Sequence, residues 1–288
     1  MDLKIAIIIV SYNGEDFLFN CLNSLQKQNW PNYEIIVVDN KSRDDSIKII
    51  KDNWPQIKII ANRKNLGFAV ANNQGIDYAL SNGADNIVLL NQDTVVQPDF
   101  LTSGIKVLQD KSIGLACPKI LYKNSDKIWW AGSELYRGLK ILTKPTIRLG
   151  RHIGKKKSDN KKYSQPTETD YITGCALFTR RDVINKIGQL DQKLFMYGED
   201  VDWSFRAKKA GYKIIYFPTT TVWHDVPLQN QSPKGLVAKI FKAKNYFKGI
   251  TVNLCRHYKF SEKIFWAIKL PFILPFMLIG ILIKMIRN

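Results

Sequence analysis

The first third of the chain alternates between apolar runs typical of strands and stretches whose apolar residues recur at helical spacing. Continuous apolar, β-branched runs predict buried strands at residues 4–10, 34–38, 56–61 and 87–90. Helical spacing predicts intervening helices within residues 17–25, 44–50 and 69–80. This order predicts right-handed βαβ units, and therefore an α/β fold with a mainly parallel sheet flanked by helices.

Each predicted strand ends in small polar or acidic residues. They are Ser11 and Asn13, Asp39 and Asn40, Asn62, then Asn91 and Asp93. Ligands of open parallel sheets bind just beyond the carboxyl ends of the strands. Asp93 taken alone is more simply a turn cap before Thr94, but four aligned polar ends favour a nucleotide site with a bound divalent cation.

Two common nucleotide fingerprints are missing from the chain. No GxGxxG follows the first strand, and there is no GxxxxGKS phosphate loop. Simple oxidoreductase and P-loop NTPase interpretations are therefore disfavoured.

Three ordered motifs carry a specific resemblance. They are IIIVSYNGEDFLFNCLNSLQKQ, EIIVVDNKSRDDS and NRKNLGFAVANNQGI. The first two resemble the opening of the family 2 glycosyltransferases, which have the GT-A fold, and the third resembles their rhamnosyltransferase-like branch. The resemblance covers roughly residues 4–225.

The resemblance implies that a nucleoside diphosphate sugar lies across the strand ends. It places Ser11, Asn13 and Asp39 at the nucleoside, with Asp39 accepting hydrogen bonds from the base or ribose. Near the nucleotide and the donor sugar it places Asn65, Gly67 and Asn72.

The resemblance also implies a metal site. Asn91-Gln92-Asp93 stands at the family's DxD motif but departs from it, because Asn91 replaces the first acid. With one carboxylate, Asp93, we expect weak affinity for Mg²⁺ or Mn²⁺ until the diphosphate adds oxygens. The resemblance makes His224 a second ligand, which suits Mn²⁺ better. The competing interpretation of His224 is a packed core residue.

A second chemical centre is predicted where Glu199 and Asp200 open a helix. Acids at a helix start also complement the helix dipole, an explanation that remains open for Asp202. The resemblance places Glu199 and Asp200 on the acceptor side of the donor sugar. We assign the general base to Asp200 and acceptor orientation to Glu199, with the reverse assignment open. One displacement with a single base inverts the anomeric configuration.

The composition limits the chemical classes of molecule that this protein is expected to bind. The chain has 288 residues, 45% of them hydrophobic, and a formal net charge of +18, which implies an anionic substrate, membrane surface or nucleic acid. No nucleic-acid motif accompanies that charge, so we expect no nucleic-acid partner. The four cysteines include no CxxC pair, which is typical of thiols in a reducing compartment.

The predicted organisation is a GT-A domain at 1–226 followed by an appendage. Residues 1–97 form the nucleotide-binding half, and 98–226 the acceptor half. The latter contains a basic loop at 137–162 with ten Lys or Arg and one acid, Asp159. That loop is either solvated and mobile or an acceptor-side flap for an anionic lipid diphosphate or membrane.

The appendage is predicted to attach the protein to a membrane. Residues 227–263 form a basic amphipathic helical region with Leu236, Val237, Ile240, Phe241 and Phe247 in one stripe. Residues 264–288 form an apolar anchor that enters or barely spans the bilayer, and the basic flanks favour the cytoplasmic face of the cell membrane. Helices docked on the catalytic domain are the alternative.

Together these observations predict an inverting, metal-dependent glycosyltransferase. It would move a sugar from a nucleoside diphosphate to a lipid-linked or polysaccharide acceptor. The alternatives are a nucleotidyltransferase of related fold and a catalytically inactive protein that binds membrane or nucleic acid.

Overall fold

The first half of the chain folds as the hydrophobic pattern predicts. The structure is a computed structural model that describes residues 3–144, 146, 148–226 and 235–272. The first elements are β1 Ile5–Ser11, α1 Glu15–Leu25, β2 Tyr33–Asp39, α2 Ser46–Asn53, β3 Lys58–Ala61, α3 Phe68–Ser81 and β4 Asn86–Asn91. The predicted bounds agree with these to within a few residues, because fully buried strands and one-sided helices have distinct periods.

Four parallel strands align the polar strand ends. They lie in the order β3-β2-β1-β4. Ser11 at the end of β1 is in register with Asp39 at the end of β2, and Val10 is in register with Asn91. The predicted convergence of polar residues on one sheet edge is confirmed.

The second half adds antiparallel strands. Its elements are β5 Thr94–Val96, α4 Phe100–Leu108, β6 Ile113–Tyr122, β7 Ile128–Trp130, β8 Ser133–Leu135, α5 Lys140–Thr143, β9 Gly150–His152, a 3-10 turn Lys161–Tyr163, β10 Thr167–Glu168, β11 Ala176–Arg180, α6 Arg181–Ile187, α7 Glu199–Lys209 and β12 Lys213–His224. Strand β11 runs antiparallel between β4 and β6, whereas β12 runs parallel to β6. The α/β prediction is correct. The sheet is mixed rather than mainly parallel, because β11 runs antiparallel to both of its neighbours.

The basic segment 137–162 is folded in its described part. Strand β9 within it pairs antiparallel with β8. The Ile128 N–H donates to Lys157 O at 2.8 Å, and the Lys156 N–H donates to Ile128 O at 2.7 Å. These backbone bonds fix the segment to the catalytic domain, so a wholly mobile loop is not what the structure shows.

A C-terminal helix packs on the acceptor half. Helix α8 spans Leu236–His257, and residues 260–272 are also helical. Trp266 and Tyr258 are buried in a small second core with residues of the 133–149 region. Val237, Ile240 and Phe241 in the predicted stripe remain exposed.

The predicted membrane anchor is only partly within the described residues. No helix in the described part of the chain combines the length and apolar character needed to cross a bilayer. Residues 273–288, most of the predicted anchor, and 227–234, the start of the basic region, lie outside that part.

The four thiols differ in exposure. Cys21, Cys117 and Cys175 are buried, whereas Cys255 on α8 is exposed.

Candidate active site

Two buried oxygens point to a ligand at the nucleoside end. Asp39 is 2% exposed, and its Oδ2 accepts the N–H groups of Lys41 and Ser42, both at 3.1 Å. Its Oδ1 and the hydroxyl of buried Ser11 have no hydrogen-bond partner. Buried polar atoms are rarely left unpaired, so this pair is a candidate contact for a ribose or base.

Asn13 forms hydrogen bonds with the loop that follows β2. Its side-chain oxygen accepts the N–H of Arg43 at 3.0 Å, and its own N–H donates to the Ser42 hydroxyl at 2.9 Å. It adopts a positive φ of 50°, which Asn tolerates better than most residues. The Asn13 side chain, which is predicted to contact the nucleoside, therefore also fixes the loop after β2.

The loop before α3 joins the two halves of the site. Asn65 accepts the N–H of Gly67 at 2.9 Å. Gly67 has φ 86°, and a Cβ there would lie 2.4 Å from Phe195 O, so only glycine fits. Asn72 is buried and donates to Phe68 O at 2.9 Å within α3. Asn65 and Gly67 thus shape the loop, while the Asn72 amide is occupied by its own helix.

Asp93 and His224 meet at the end of the sheet. Strands β5 and β12 pair with Thr94 opposite His224, which brings Asp93 Oδ1 and His224 Nε2 to 3.1 Å. Burial lowers the pKa of His224, whereas the adjacent Cys175 and the Asp93 carboxylate raise it, and the net shift is upward. Burial also raises the pKa of the Cys175 thiol. The imidazole must lose its proton before it can bind a cation.

This pair fits a divalent cation. One carboxylate and one imidazole face each other, and the second imidazole nitrogen, Nδ1, is buried without a partner. Within the described residues no cluster of three or more His, Cys, Asp or Glu forms a metal site. The protein therefore offers two ligands, which suits a cation that shares its remaining positions with substrate phosphates.

Glu199 and Asp200 open helix α7 as predicted. Glu199 is 6% exposed and its Oε2 has no partner. Asp200 is half-buried and accepts the N–H groups of Val201 at 2.8 Å and Gly174 at 3.3 Å. Asp200 is the more accessible of the two carboxyl groups.

The surroundings of the two carboxyl groups shift their pKa values to different extents. Burial raises the pKa of both. The charge on Asp200 raises the pKa of Glu199 further, whereas two backbone N–H groups stabilise the Asp200 carboxylate. Asp200 ionises first and Glu199 keeps its proton, which favours Asp200 as the base.

A short backbone path joins the two chemical centres. Gly174 donates to Asp200, and its neighbour Cys175 accepts the N–H of Asn91 at 2.9 Å. Asn91 lies two residues before Asp93. Asp39, Asp93 and Asp200 therefore converge on one edge of the sheet, although they are far apart in the chain.

Helix α8 supports the start of α7. The segment before Glu199 has two consecutive positive φ angles, 73° at Tyr197 and 95° at Gly198. Asn253 is fully buried and donates to Gly198 O at 3.0 Å. Gly249 lies so close that a Cβ would be 2.2 Å from Tyr197 O. The backbone conformation that leads into Glu199 and Asp200 is thus stabilised by α8.

Asp202 and Arg206 have structural contacts. Asp202 is 1% exposed and contacts Arg206 at 2.8 Å and His257 at 2.7 Å. Arg206 also donates to Gln189 O at 2.7 Å. Asp202 connects α7 to α8, which the helix-dipole explanation did not anticipate.

The sequence analysis did not anticipate the contacts of Gln92 and Trp129 beside the site. Gln92 accepts the Tyr12 N–H at 3.1 Å and bridges β4 to the loop after β1. Trp129 packs edge-on against His224, with ring centroids 4.6 Å apart, and against His152 at 5.1 Å. The aromatic pair Trp129-Trp130 was a usable signal, but its partners come from elements that only the fold brings together.

The mixed sheet with polar groups at its strand ends is a fold of the GT-A type. The model of the family "Glycosyl transferase family 2" matches residues 6–188. The chain belongs to that family, and the protein is a glycosyltransferase.

Named relatives lie in the rhamnosyltransferase-like branch. The chain is 26% identical over 244 residues to the rhamnosyltransferase WbbL of Escherichia coli (strain K12), covering 83% of this chain and 88% of that one. It is 22% identical over 239 residues to the N-acetylglucosaminyl-diphospho-decaprenol L-rhamnosyltransferase of Mycobacterium tuberculosis (strain H37Rv), covering 76% and 75%.

Solved structures share the fold. A mannosyltransferase from Pyrobaculum calidifontis, in complex with GDP-Man and Mn²⁺, matches with TM-score 0.60 and 16% identity, covering 96% of this chain and 73% of that one. GalNAc-T7 with UDP, GalNAc and Mn²⁺ matches with TM-score 0.65 and 18% identity, covering 87% of this chain and 48% of that one. This chain thus spans about half the length of GalNAc-T7.

Proposed function

We propose that this protein transfers a sugar, with inversion, from a nucleoside diphosphate sugar to a lipid-linked or glycan acceptor. The observation that carries the proposal is the convergence of Asp93–His224 and Asp200 on the sheet edge. The names of the relatives favour a deoxyhexose donor such as a dTDP-rhamnose.

The nucleoside end holds the donor. Asp39 Oδ1 and the Ser11 hydroxyl, both buried without partners, accept or donate hydrogen bonds to the ribose or base. Asp93 and His224 would hold Mg²⁺ or Mn²⁺, and the cation would supply positive charge next to the departing diphosphate.

Asp200 acts on the acceptor. Its carboxylate removes the proton of the attacking hydroxyl while that oxygen bonds to the anomeric carbon. The bond from that carbon to the diphosphate breaks, and the nucleoside diphosphate leaves. Protonated Glu199 donates a hydrogen bond that orients the acceptor. A single displacement of this kind inverts the anomeric centre.

Attachment to the cytoplasmic face of a membrane belongs to the proposal. Helix α8 exposes Val237, Ile240 and Phe241, and the helical residues 260–272 expose Phe260 and Phe272. Lysines Lys239, Lys242, Lys244 and Lys248 flank the α8 residues. Exposed apolar side chains beside lysines suit an anionic bilayer surface.

A donor-hydrolysis assay tests the function. Purified protein is incubated with dTDP-, UDP- and GDP-sugars, with Mn²⁺, with Mg²⁺ or with EDTA. We expect metal-dependent release of one nucleoside diphosphate, and loss of that release in Asp93→Asn. Release of pyrophosphate would indicate a nucleotidyltransferase instead, and no turnover of any donor would contradict the proposal.

A further inference from the structure

Four aromatic side chains form a continuous row that begins at the proposed metal ligand His224. The Trp129 ring lies edge-on to His224, with 4.6 Å between the ring centroids, and 5.1 Å from the His152 ring. The His152 ring in turn lies 6.2 Å from the ring of Tyr171. This aromatic row therefore brings together β12, β7, β9 and the segment before β11, which are distant in the chain.

The far end of the aromatic row is fixed next to the proposed general base. Ile172 follows Tyr171, and its N–H donates to the Ser204 hydroxyl at 3.0 Å. That hydroxyl donates to Asp200 O at 2.6 Å, and the Gly174 N–H donates to the Asp200 carboxylate at 3.3 Å. The two ends of the row thus lie at the groups that, in the proposed function, hold the donor diphosphate and activate the acceptor.

The middle of the aromatic row is accessible, whereas its ends are covered. Tyr171 and His224 are 8% and 4% exposed, but Trp129 and His152 are half-buried. His152 Nδ1 is buried without a hydrogen-bond partner. Burial lowers the pKa of His152 to about 3, so the imidazole is neutral and Nδ1 can accept or donate a hydrogen bond. An unpaired polar atom at this place points to a ligand that supplies the missing partner.

The neighbouring Trp130 has structural contacts, in contrast. It is fully buried, and its Nε1 donates to the Ser133 hydroxyl at 2.8 Å. Trp129 projects from the other side of β7, because successive side chains of a strand alternate. Within the described residues the Trp129 indole N–H has no acceptor. Packing alone explains Trp130, but it does not explain a half-buried aromatic surface with unused polar groups.

We propose that Trp129 and His152 bind the pyranose ring of the acceptor and determine which acceptor sugar is used. This inference rests on the proposed function and names the residues that recognise the acceptor sugar. A pyranose has apolar C–H groups on its faces and hydroxyls around its rim, which suits an aromatic surface with few polar groups. The Trp129 ring packs against the C–H face, and His152 Nδ1 forms a hydrogen bond with one hydroxyl. The acceptor sugar is the occupant because the row ends beside Asp200.

Saturation-transfer NMR of the full chain with methyl pyranosides tests the Trp129 contact. The probes are the methyl glycosides of glucose, N-acetylglucosamine, galactose and rhamnose. We expect transfer to the ring C–H protons of at least one of them, and binding at least about tenfold weaker in Trp129→Ala. Trp129→Phe should retain most of the binding, which shows that loss of folding is not the cause.

Trp30→Ala is the matched control for Trp129→Ala. Trp30 is also half-buried, but it lies near the start of β1, where its Nε1 donates to Leu3 O at 3.0 Å. We expect this variant to change pyranoside binding by less than about twofold, because the site is at the other end of the strands. Absence of binding to all four probes in the wild type would overturn the inference, as would equal binding by Trp129→Ala.

His152→Phe keeps an aromatic ring at this position and removes Nδ1. We expect binding of the preferred methyl pyranoside to weaken about fivefold through the lost hydrogen bond. The monodeoxy analogue that lacks the bonded hydroxyl should bind equally to wild type and variant, a result that a merely structural role would not give. An equal loss for the parent sugar and for every monodeoxy analogue would overturn the role of His152.

Nucleotide sugars separate the donor from the acceptor as the source of the pyranose. We expect methyl pyranoside binding to persist when dTDP-, UDP- and GDP-sugars are added with Mn²⁺. Displacement by a nucleotide sugar, but not by the matching nucleoside diphosphate, would assign the aromatic row to the donor sugar and overturn the inference. Wild-type donor hydrolysis, measured separately, reports failure of the proposed function itself.

Discussion

Asp200 becomes a usable base through two opposing effects on one carboxyl group. Burial raises its pKa, while the N–H groups of Val201 and Gly174 limit the rise. The base must be ionised to accept a proton. Transfer should therefore increase as pH rises through this raised pKa, and kcat/KM measured against pH should show an acid limb above the usual range of an aspartate.

Replacing the base should separate chemistry from binding. In Asp200→Asn we expect transfer to fall by about 10²–10⁴-fold, while donor affinity stays nearly unchanged because Asp39 and Asp93 are untouched. Initial rates and nucleoside diphosphate titrations measure the two effects. Comparable rates in the variant and in the wild type would remove Asp200 from the mechanism.

Glu199 should lower the free energy of unfolding at neutral pH. Its folded-state pKa is raised, so it opposes folding once pH exceeds the unfolded value, and this penalty disappears in acid. Glu199→Gln should raise Tm by about 2–4 °C at pH 8 and by less at pH 5, while slowing transfer. Thermal unfolding at both pH values checks this, and a lower Tm at pH 8 would contradict it.

The sequence predicted which residue types lie at the site better than it predicted their detailed contacts. Ser11, Asp39 and Asp93 drew attention because polar groups follow apolar runs, whereas Glu199 and Asp200 were assigned through the family resemblance. Which of their atoms would remain unpaired depends on backbone N–H groups from loops, and no periodicity encodes those positions.

At the scale of elements, α8 supports the segment that leads into the proposed catalytic acids. It contacts Tyr197 and Gly198, the residues with positive φ that lead into Glu199. Sequence predicted α8 as an amphipathic helix but not its contact with α7, because Asn253 and Gly249 have ordinary helical neighbours and signal nothing on their own.

Loosening that contact should lower kcat more than it changes donor KM. Asn253→Ala removes one of the two donors to Gly198 O, which keeps the Asp202 N–H at 2.9 Å. We expect a loss of about 1 kcal/mol and a shift of Glu199 and Asp200. Gly249→Ala forces the same segment apart. Steady-state kinetics with varied donor checks this, and Thr251→Ala, an exposed position on α8, is the control. Equal losses in all three variants would indicate general damage to the helix.

At the scale of the molecule, the sheet explains which predictions succeeded. The parallel β3-β2-β1-β4 half is built from contiguous βαβ units, so its order could be derived from the sequence. The antiparallel insertion of β11 between β4 and β6 depends on a long connection, and that placement needed the structure.

The exposed apolar residues of α8 should govern membrane attachment. Phe241→Ala is expected to reduce binding to phosphatidylglycerol vesicles severalfold, and added salt should weaken the wild-type interaction by screening the lysines. Phe19→Ala is a matched control, because Phe19 is 47% exposed and Phe241 48%, and each packs on one aromatic ring at 5.3 Å. Vesicle sedimentation measures the binding, and equal loss in both variants would contradict the assignment.

The unequal exposure of the cysteines allows the native protein to be labelled at a single position. Cys21, Cys117 and Cys175 are shielded by the core, so a thiol-reactive fluorophore added to the native protein modifies Cys255. Cys255 lies two residues after Asn253, which donates to Gly198 O, and its carbonyl accepts a hydrogen bond from Lys263 Nζ at 2.8 Å. The emission of a dye there can be followed in real time as donor, lipid or vesicle is added, without engineering a cysteine-free background.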